Sequence, residues 1–409
     1  MDWSPQFRLT QGEKVSPEHI NSSSPPSAGP RSRVRFDRNE FSGAFGDMGT
    51  DFPLIAGMIL AVGLKPASVL TLFGSMQILT GLLYGIPMPA QPLKAMAVIV
   101  ITQKASGAVL YGAGLAIGCV MLVLAATGLL TLLASAVPKS VVRGIQFGLG
   151  LQLATLALRD YVPAEGAGGL ILAVFAFFLT LLLLGNRRVP PAPFVLAAGF
   201  AFALLFRVHP RLLIQGAGFV PPAMHLPARH DIWVGFYLLA IPQLALSFGN
   251  SILATRQISA DLFPERDLTI KKIGLTYAAM NLINPFLGGV PTCHGSGGMV
   301  GHYTFGARTG GSVIIYGCFY LILGLFFSAA FQQIIPLFPK PVLGIMLLFE
   351  ALALLLLCRD MAFSVSELAV VLVVGLSALA LPYGYVVGLV LGLLLHYLFL
   401  NRLQRFARN

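Results

Sequence analysis

The sequence carries little charge for its length. Only 11 % of its 409 residues are Asp, Glu, Lys or Arg, whereas 56 % are hydrophobic. Soluble domains contain about 25 % charged residues. A protein built on one water-soluble core is therefore excluded, and the composition predicts an all-α protein that crosses a membrane many times.

Acidic residues are the scarcer charge, with 16 against 27 basic residues and a formal net charge of +11. The basic residues are spread between apolar runs, as in loops that flank membrane spans. Nucleic-acid binding is not expected from this distribution. The expected partners are the lipid bilayer and a small ligand, and a homodimer is left open.

Cysteines and enzyme motifs are also scarce. The four cysteines lack the spacing of metal ligands, and the chain has no Gly-x-Ser-x-Gly, His-Glu-x-x-His or phosphate-loop motif. The adjacent Cys293 and His294 lie in an extended stretch, where neighbouring side chains point in opposite directions. No enzyme activity, metal site or cofactor is predicted.

Long hydrophobic segments are what the chain does have. From Phe41 onward fourteen such segments occur, and several are shorter than the about 20 residues that a full span needs. Twelve full spans and two half-helices describe the same pattern. Lys and Arg are more frequent in alternate loops, which predicts a multi-pass protein of the cell (inner or plasma) membrane with both termini in the cytoplasm.

The two halves of the chain resemble each other. Phe45-Gly-Asp47 matches Phe248-Gly-Asn250, and Val137-Pro-Lys139 matches Phe338-Pro-Lys340, about 200 residues later. Seven segments separate equivalent points, so the second half is expected to be inverted. The predicted regions are a disordered cytoplasmic tail (1–38), a first inverted repeat (39–208), an external connecting loop (209–231), a second repeat (232–400) and a short cytoplasmic tail (401–409).

Two hydrophobic segments are interrupted at matching places. Pro87–Lys94 and Pro291–Gly301 each read as a proline-rich extended approach followed by a helix start, near Pro92 and near Ser296. Paired interruptions of this kind indicate the binding site of a transporter, with half-helices meeting near the midplane. Helix N-termini present free N–H groups and a positive dipole end, which suit an anion.

Several residues at these interruptions are candidate ligands. Lys94 either attracts the anion or extends toward the membrane surface, and Gln91 either donates a hydrogen bond to the anion or caps the backbone. His294 either senses protons or bonds a carbonyl. The other candidate substrate-binding residues are Pro92, Cys293, Gly295, Ser296, Gly297, Gly298, Gln243 and Asn250.

Three charged residues near the interruptions have open roles. Asp47 is expected to pair with Lys94, or to carry a proton or coupling ion together with Asp51; the alternative is an N-cap or a surface acid. The position equivalent to Asp47 is the neutral Asn250, which favours an anionic substrate. Arg308 is expected at the cytoplasmic exit, as a topology anchor or as a charge that attracts anions.

Six motifs together resemble those of a known transporter family. They are Phe45-Gly-Asp-Met-Gly-Thr50, Pro87-Met-Pro-Ala-Gln-Pro-Leu-Lys94, Leu246-Ser-Phe-Gly-Asn-Ser251, Asp261-Leu-Phe-Pro264, Pro291-Thr-Cys-His-Gly-Ser-Gly-Gly298 and Phe305-Gly-Ala-Arg308-Thr-Gly310. The sequence thereby resembles the molybdate transporter family, which is related to the sulfate permeases; Ala90 and Leu93 depart from the family pattern.

The resemblance implies fourteen segments in inverted repeats, a core domain that moves against a gate domain, and secondary active transport of molybdate. Transport of sulfate, tungstate or another oxyanion, and an anion channel, remain alternatives.

Overall fold

The computed structural model describes residues 34–184, 190–207, 216–266 and 268–400, and they are mostly helical. The predictions for most of the N-terminal tail, for the tail at 401–409 and for part of the 209–231 loop lie outside these residues. The helices of the first half are α1 Arg38–Ala44, α2 Met48–Val62, α3 Pro66–Tyr84, α4 Lys94–Gln103, α5 Gly107–Thr127, α6 Leu129–Ala136, α7 Lys139–Leu156, α8 Gly166–Leu183 and α9 Pro191–Phe206.

The second half has a similar succession of helices. Short π-helical or 3-10 turns lengthen several of them, such as the π-helical turn Ser247–Ala254 between α11 and α12. The helices are α10 Arg229–Gly235, α11 Ile241–Leu246, α12 Thr255–Leu262, α13 Ile270–Ile283, α14 Ser296–Thr304, α15 Gly311–Phe326, α16 Ser328–Ile334, α17 Lys340–Leu356, α18 Val365–Ala380 and α19 Gly384–Leu394.

Within the described ranges, six helices are long and apolar enough to cross a membrane. The number becomes eight if two bent pairs, α1 with α2 and α15 with α16, each count as one span. Four shorter apolar helices begin at Lys94, Pro191, Val365 and Gly384. The count of fourteen segments is not reached by this criterion and stays a prediction.

The two interruptions form a small buried sheet. β1 (Ala90–Pro92) pairs with β2 (Thr292–His294) in antiparallel register, with Gln91 opposite Cys293. Every residue of both strands is buried. Extended backbone at membrane depth is tolerated where protein surrounds it and pairs its polar groups. Strand pairing meets that requirement for both halves at once.

Glycine and proline set the position of each break. α3 ends at Gly85, whose φ of 66° is left-handed, and prolines follow at positions 87, 89 and 92. In the second half a 3-10 turn ends at Gly288, which has φ 69°, and Pro291 follows. Left-handed backbone ends a helix, and proline cannot supply the N–H that a continued helix needs.

Side-chain amides hold each strand to the helix before it. Gln77 of α3 donates to the carbonyl of Ala90 at 2.7 Å and accepts from its N–H at 3.0 Å. Asn281 of α13 bonds Thr292 in the same way, at 2.6 Å and 3.0 Å. These buried amides use donor and acceptor together, so each fixes its strand against a helix of its own half.

Helices α7 and α17 run antiparallel and are joined by charges at both ends. Asp360, just beyond α17, lies 2.8 Å from the Lys139 ammonium and 2.7 Å from the Arg143 guanidinium, at the start of α7. At the other end, Glu165 accepts from the backbone N–H of Lys340 at 2.9 Å. Lys139 and Lys340 therefore lie at opposite ends of this helix pair.

Candidate anion-binding site

The β1–β2 pair brings the N-termini of two half-helices together. α4 begins at Lys94 and α14 begins at Ser296, in each case with a single residue between the strand and the helix. The predicted start near Ser296 is confirmed. The start near Pro92 is placed two residues too early, because Pro92 still belongs to β1 and pairs with Thr292.

A side chain from α11 occupies the tip of α4. The Gln243 carbonyl oxygen accepts from the N–H of Ala95 at 2.9 Å and of Met96 at 3.4 Å. Its amide nitrogen donates to Ser247 at 3.0 Å. Gln243 thus satisfies two of the N–H groups that a helix start leaves open. The expectation that both tips offer free N–H groups to an anion is wrong for these two groups of α4, because the Gln243 side chain caps them.

Lys94 is bound to a carboxylate that the sequence interpretation did not consider. Its ammonium lies 2.8 Å from an oxygen of Glu350 on α17, and the other Glu350 oxygen accepts from the Thr50 hydroxyl at 3.0 Å. The Glu350 side chain is 5 % exposed and that of Lys94 is 23 % exposed. The prediction that Asp47 pairs with Lys94 is wrong, since the direct partner is Glu350.

The tip of α14 has no side-chain cap and one open face. Gly297 is exposed, and a Cβ built there would meet no atom within 4 Å. Ser296 beside it is half-buried. The opposite face is closed, because a Cβ at Gly295 or Gly298 would overlap the side chain of Gln91. The glycines therefore serve two purposes: two allow close packing, and Gly297 exposes backbone.

Gln91 and Asp47 form the closed face of this tip. The Gln91 amide donates to the Asp47 carboxylate at 2.6 Å, and both residues are buried. Asp47 precedes α2 but its side chain makes no capping bond to that helix. One turn later, buried Asp51 accepts from the Tyr316 hydroxyl at 3.3 Å. The alternatives of an N-cap bond for Asp47 and of surface acids are wrong, and Gln91 binds a protein carboxylate.

The remaining candidates lie around this centre. Cys293 and His294 are buried in β2, and His294 Nε2 lies 2.7 Å from the Thr276 hydroxyl. Asn250 is half-buried on the π-helical turn, where its carbonyl accepts from Thr255 at 3.2 Å. Both Cys293 and His294 are buried, whereas Gly297 is exposed. Their described contacts support the backbone beneath the tip.

Arg308 lies beyond the C-terminus of α14. Its guanidinium donates to the carbonyls of Tyr303 and Ala307, both at 2.7 Å, and stacks 3.6 Å from the Tyr303 ring centre. A cation at the C-terminal end of a helix satisfies free carbonyls and complements the dipole. These contacts give Arg308 an anchoring role at the far end of the half-helix.

Comparison with known proteins identifies the family. A family model described as "Molybdate transporter of MFS superfamily" matches residues 39–153 and 235–354. Molybdate transporter 2 of Arabidopsis thaliana is 33 % identical, covering 91 % of this chain and 90 % of the relative. The chain belongs to the molybdate transporter family. Molybdate transporter 1 of Chlamydomonas reinhardtii is 27 % identical and covers 86 % of this chain. The resemblance drawn from the motifs is confirmed, and the family consists of transporters and not of enzymes.

Solved structures of similar fold include membrane anion transporters. The transmembrane domain of the cyanobacterial bicarbonate transporter BicA matches with a TM-score of 0.60 at 13 % identity, covering 89 % of this chain and 98 % of BicA's domain. The murine anion transporter Slc26a9, in its inward-facing state, gives 0.67 at 15 % identity, covering 90 % and 69 %. At these identities the likeness shows a shared fold. This member of the molybdate transporter family therefore has an SLC26-like membrane fold.

Sequence reasoning did not single out two acidic residues, Glu350 and Glu40. Glu350 lies inside the apolar helix α17. Because an ionisable residue inside an apolar run is by default a functional candidate, the sequence could have indicated Glu350. Glu40 accepts from the backbone N–H groups of Arg308, Thr309 and Ser312 at 2.9–3.1 Å. No local pattern marks Glu40, because its partners lie almost 270 residues away.

Proposed function

We propose that the protein is a secondary active transporter that moves molybdate across the cell membrane. Its membership in the molybdate transporter family supports the substrate. The observation that carries the site is the uncapped tip of α14, with exposed Gly297 and half-buried Ser296 amid buried residues. A helix N-terminus whose N-cap residue supplies no side-chain acceptor is suited to an oxyanion.

In this proposal the oxyanion binds at the open face of α14. The N–H groups near Gly297 and the Ser296 hydroxyl donate to it, and the Lys94 ammonium adds charge. A helix dipole end contributes about 0.3–1 kcal/mol at exposed sites and about 2 kcal/mol when partly buried. Binding by such groups is weak enough to permit release. Gln91, Gly295 and Gly298 hold the tip in position, while Asp47 and Asp51 are proposed carriers of a proton or coupling ion.

We also propose the architecture of two inverted repeats, 39–208 and 232–400, with fourteen segments and a core and a gate domain. The supporting observations are pairwise. β1 and β2 are antiparallel, α3 packs on α15 as α13 packs on α5, and Gln77 and Asn281 hold equivalent strands. A two-fold axis that relates the two halves would interchange α3 with α13 and α5 with α15, and would therefore produce such matching contacts. Cytoplasmic termini and a homodimer remain further predictions.

Uptake by vesicles containing the purified protein tests the function. We expect saturable accumulation of molybdate above that of empty vesicles, and faster uptake when the correct coupling gradient is imposed. Protein that is folded and inserted but gives no uptake above empty vesicles would contradict the proposal.

The same vesicles separate the alternatives. Competition by sulfate and tungstate ranks the oxyanions, and a stronger effect of sulfate than of unlabelled molybdate would reassign the substrate. Flux that rises linearly with molybdate and never accumulates it against a gradient would favour an anion channel. Saturation with accumulation would favour a transporter.

A further inference from the structure

The Lys94–Glu350 pair is a buried to half-buried ion pair at the proposed site. It joins α4, which begins at the β1–β2 sheet, to α17, which lies outside that sheet. Thr50 of α2 holds the second oxygen of the same carboxylate. A single carboxylate of α17 thus bonds two helices that approach the half-helix tips.

The charges around Lys94 make an added anion unfavourable unless one carboxylate yields. The Lys94 ammonium lies within electrostatic range of Glu350, Asp47 and Asp51. The Glu350 carboxylate therefore already neutralises Lys94, and a divalent oxyanion would add two further negative charges. Like charges brought together in a poorly hydrated site repel strongly. Of the three, Glu350 alone forms an ion pair with Lys94 among the described residues.

The partners of Asp47 and Asp51 leave Glu350 as the group that can yield. Asp47 is held by the Gln91 amide and Asp51 by the Tyr316 hydroxyl, and all three carboxyl groups are buried. Glu350 contacts Lys94, which is partly exposed, and its carboxylate presents two oxygens to donors as an oxyanion would. An oxyanion that contacts Lys94 therefore competes with Glu350.

We propose that Glu350 is an internal competitor of the substrate and thereby a specificity and release residue of the transport cycle. This inference rests on the proposed function. Oxyanion binding displaces the carboxylate from Lys94 and breaks the link between α17 and the helices α2 and α4. Return of the carboxylate to Lys94 then expels the oxyanion. The competition keeps affinity moderate and ties occupancy of the site to the position of α17.

Binding of molybdate to purified variants at one fixed pH tests the competition. Glu350→Gln keeps the volume and removes the charge, so we expect its Kd to fall about tenfold, because Lys94 no longer has a charged competitor. In vesicles the same variant should show a lower KM together with slower turnover, since release loses its driving group. A purely structural role predicts lower stability without tighter binding.

A double-mutant cycle identifies Lys94 as the group in competition. Lys94→Gln should weaken binding, and Lys94→Gln combined with Glu350→Gln should show no gain over Lys94→Gln alone. Thr50→Val removes a hydroxyl that holds Glu350 and should tighten binding by a few-fold. Thr180→Val is the matched control, because the bond that this buried hydroxyl makes among the described residues, to Ala176, lies within its own helix.

The outcomes are distinct. Tighter binding in Glu350→Gln that depends on Lys94 supports the competition. Wild-type affinity or weaker binding in both folded Glu350→Gln and Thr50→Val overturns it, as does a gain that persists without Lys94. If Glu350→Gln fails to fold, Thr50→Val decides. Absence of saturable binding and uptake by the wild type overturns the proposed function and this inference together.

Discussion

The two half-helix tips have the same backbone design but different occupants. Both follow a buried strand of the same small sheet, and neither N-cap residue supplies a capping side chain. Yet two first-turn N–H groups of α4 are bonded to Gln243, while the α14 tip has an exposed glycine with open space beside it. In the proposed site, the second half therefore contributes backbone N–H groups and the first half contributes the Lys94 side chain.

The proposed repeat offers a reason for the difference. Gln243 lies seven residues before Asn250, and Glu40 lies seven residues before Asp47, which the proposed repeat makes equivalent. Gln243 caps α4, whereas Glu40 binds the backbone at Arg308 and at Ser312 in the first turn of α15. If the repeat holds, the side chain that could have capped α14 by symmetry binds a different backbone segment.

The comparison predicts its largest effect on uptake at Gly298. A Cβ there would overlap the Asp47–Gln91 pair, so Gly298→Ala should destabilise the protein by about 1–3 kcal/mol through overpacking and abolish uptake. For stability alone, Gly297→Ala is the matched control, because the same methyl group meets open space. Thermal unfolding and uptake measure both. Equal loss of stability in the two variants would contradict the distinction between closed and open faces.

A second prediction concerns the charge at the α4 tip. Lys94→Ala leaves Glu350 buried without its ion-pair partner, which should cost about 3–5 kcal/mol of stability. Adding Glu350→Gln should restore most of that loss, because the stranded charge disappears. Unfolding of the purified single and double variants provides the measurement. A Lys94→Ala protein as stable as the wild type would show that the pair is too hydrated to matter.

The cap of α4 gives a smaller expected effect. Gln243→Leu keeps a side chain of similar size but leaves the Ala95 and Met96 N–H groups without their acceptor. The loss of stability should be about 1–3 kcal/mol. Gln257→Ala, at an exposed position, should cost little. Because Gln243 is assigned to α4 and not to the substrate, KM should stay near the wild-type value. A large rise in KM with unchanged stability would return Gln243 to the ligand set.

The smallest effect is expected at the far end of α14. Arg308→Gln removes a guanidinium that bonds two carbonyls at an exposed position. The loss should be about 0.3–1 kcal/mol, as for other charges at helix ends, with uptake close to wild type. High salt should reduce the difference between the two proteins. A Km for molybdate raised tenfold would instead favour the role of attracting anions.

Much of the arrangement could be predicted because it depends on local chemistry. Proline and glycine fix the two breaks, and the start of α14 at Ser296 follows from the glycines before it. The preference of proline for a first helical position predicts the start of α4 near Pro92. In the structure, strand pairing with Thr292 keeps that residue extended. Tertiary hydrogen bonds overrode a local preference.

The partners of the polar side chains could not be predicted, because they are distant in sequence. Lys94 meets Glu350 across 256 residues, and Gln243 meets Ala95 across 148. Asp47 is nearer than Glu350 to Lys94 in the sequence and is a plausible partner from the sequence alone. In the structure, its carboxylate accepts from Gln91. Residue types indicated that an anion site exists, whereas the packing of α11 and α17 decides which groups remain available to the anion.

Locating tungstate, a heavy-atom analogue of molybdate, in the protein tests the central claim most directly. We expect a tungstate ion, located by its strong scattering, at one site where it contacts the backbone N–H groups at Gly297 and the Lys94 ammonium. We also expect Glu350 to have moved away from Lys94. A saturating analogue bound elsewhere, with the α14 tip vacant and the Lys94–Glu350 pair intact, would contradict the account.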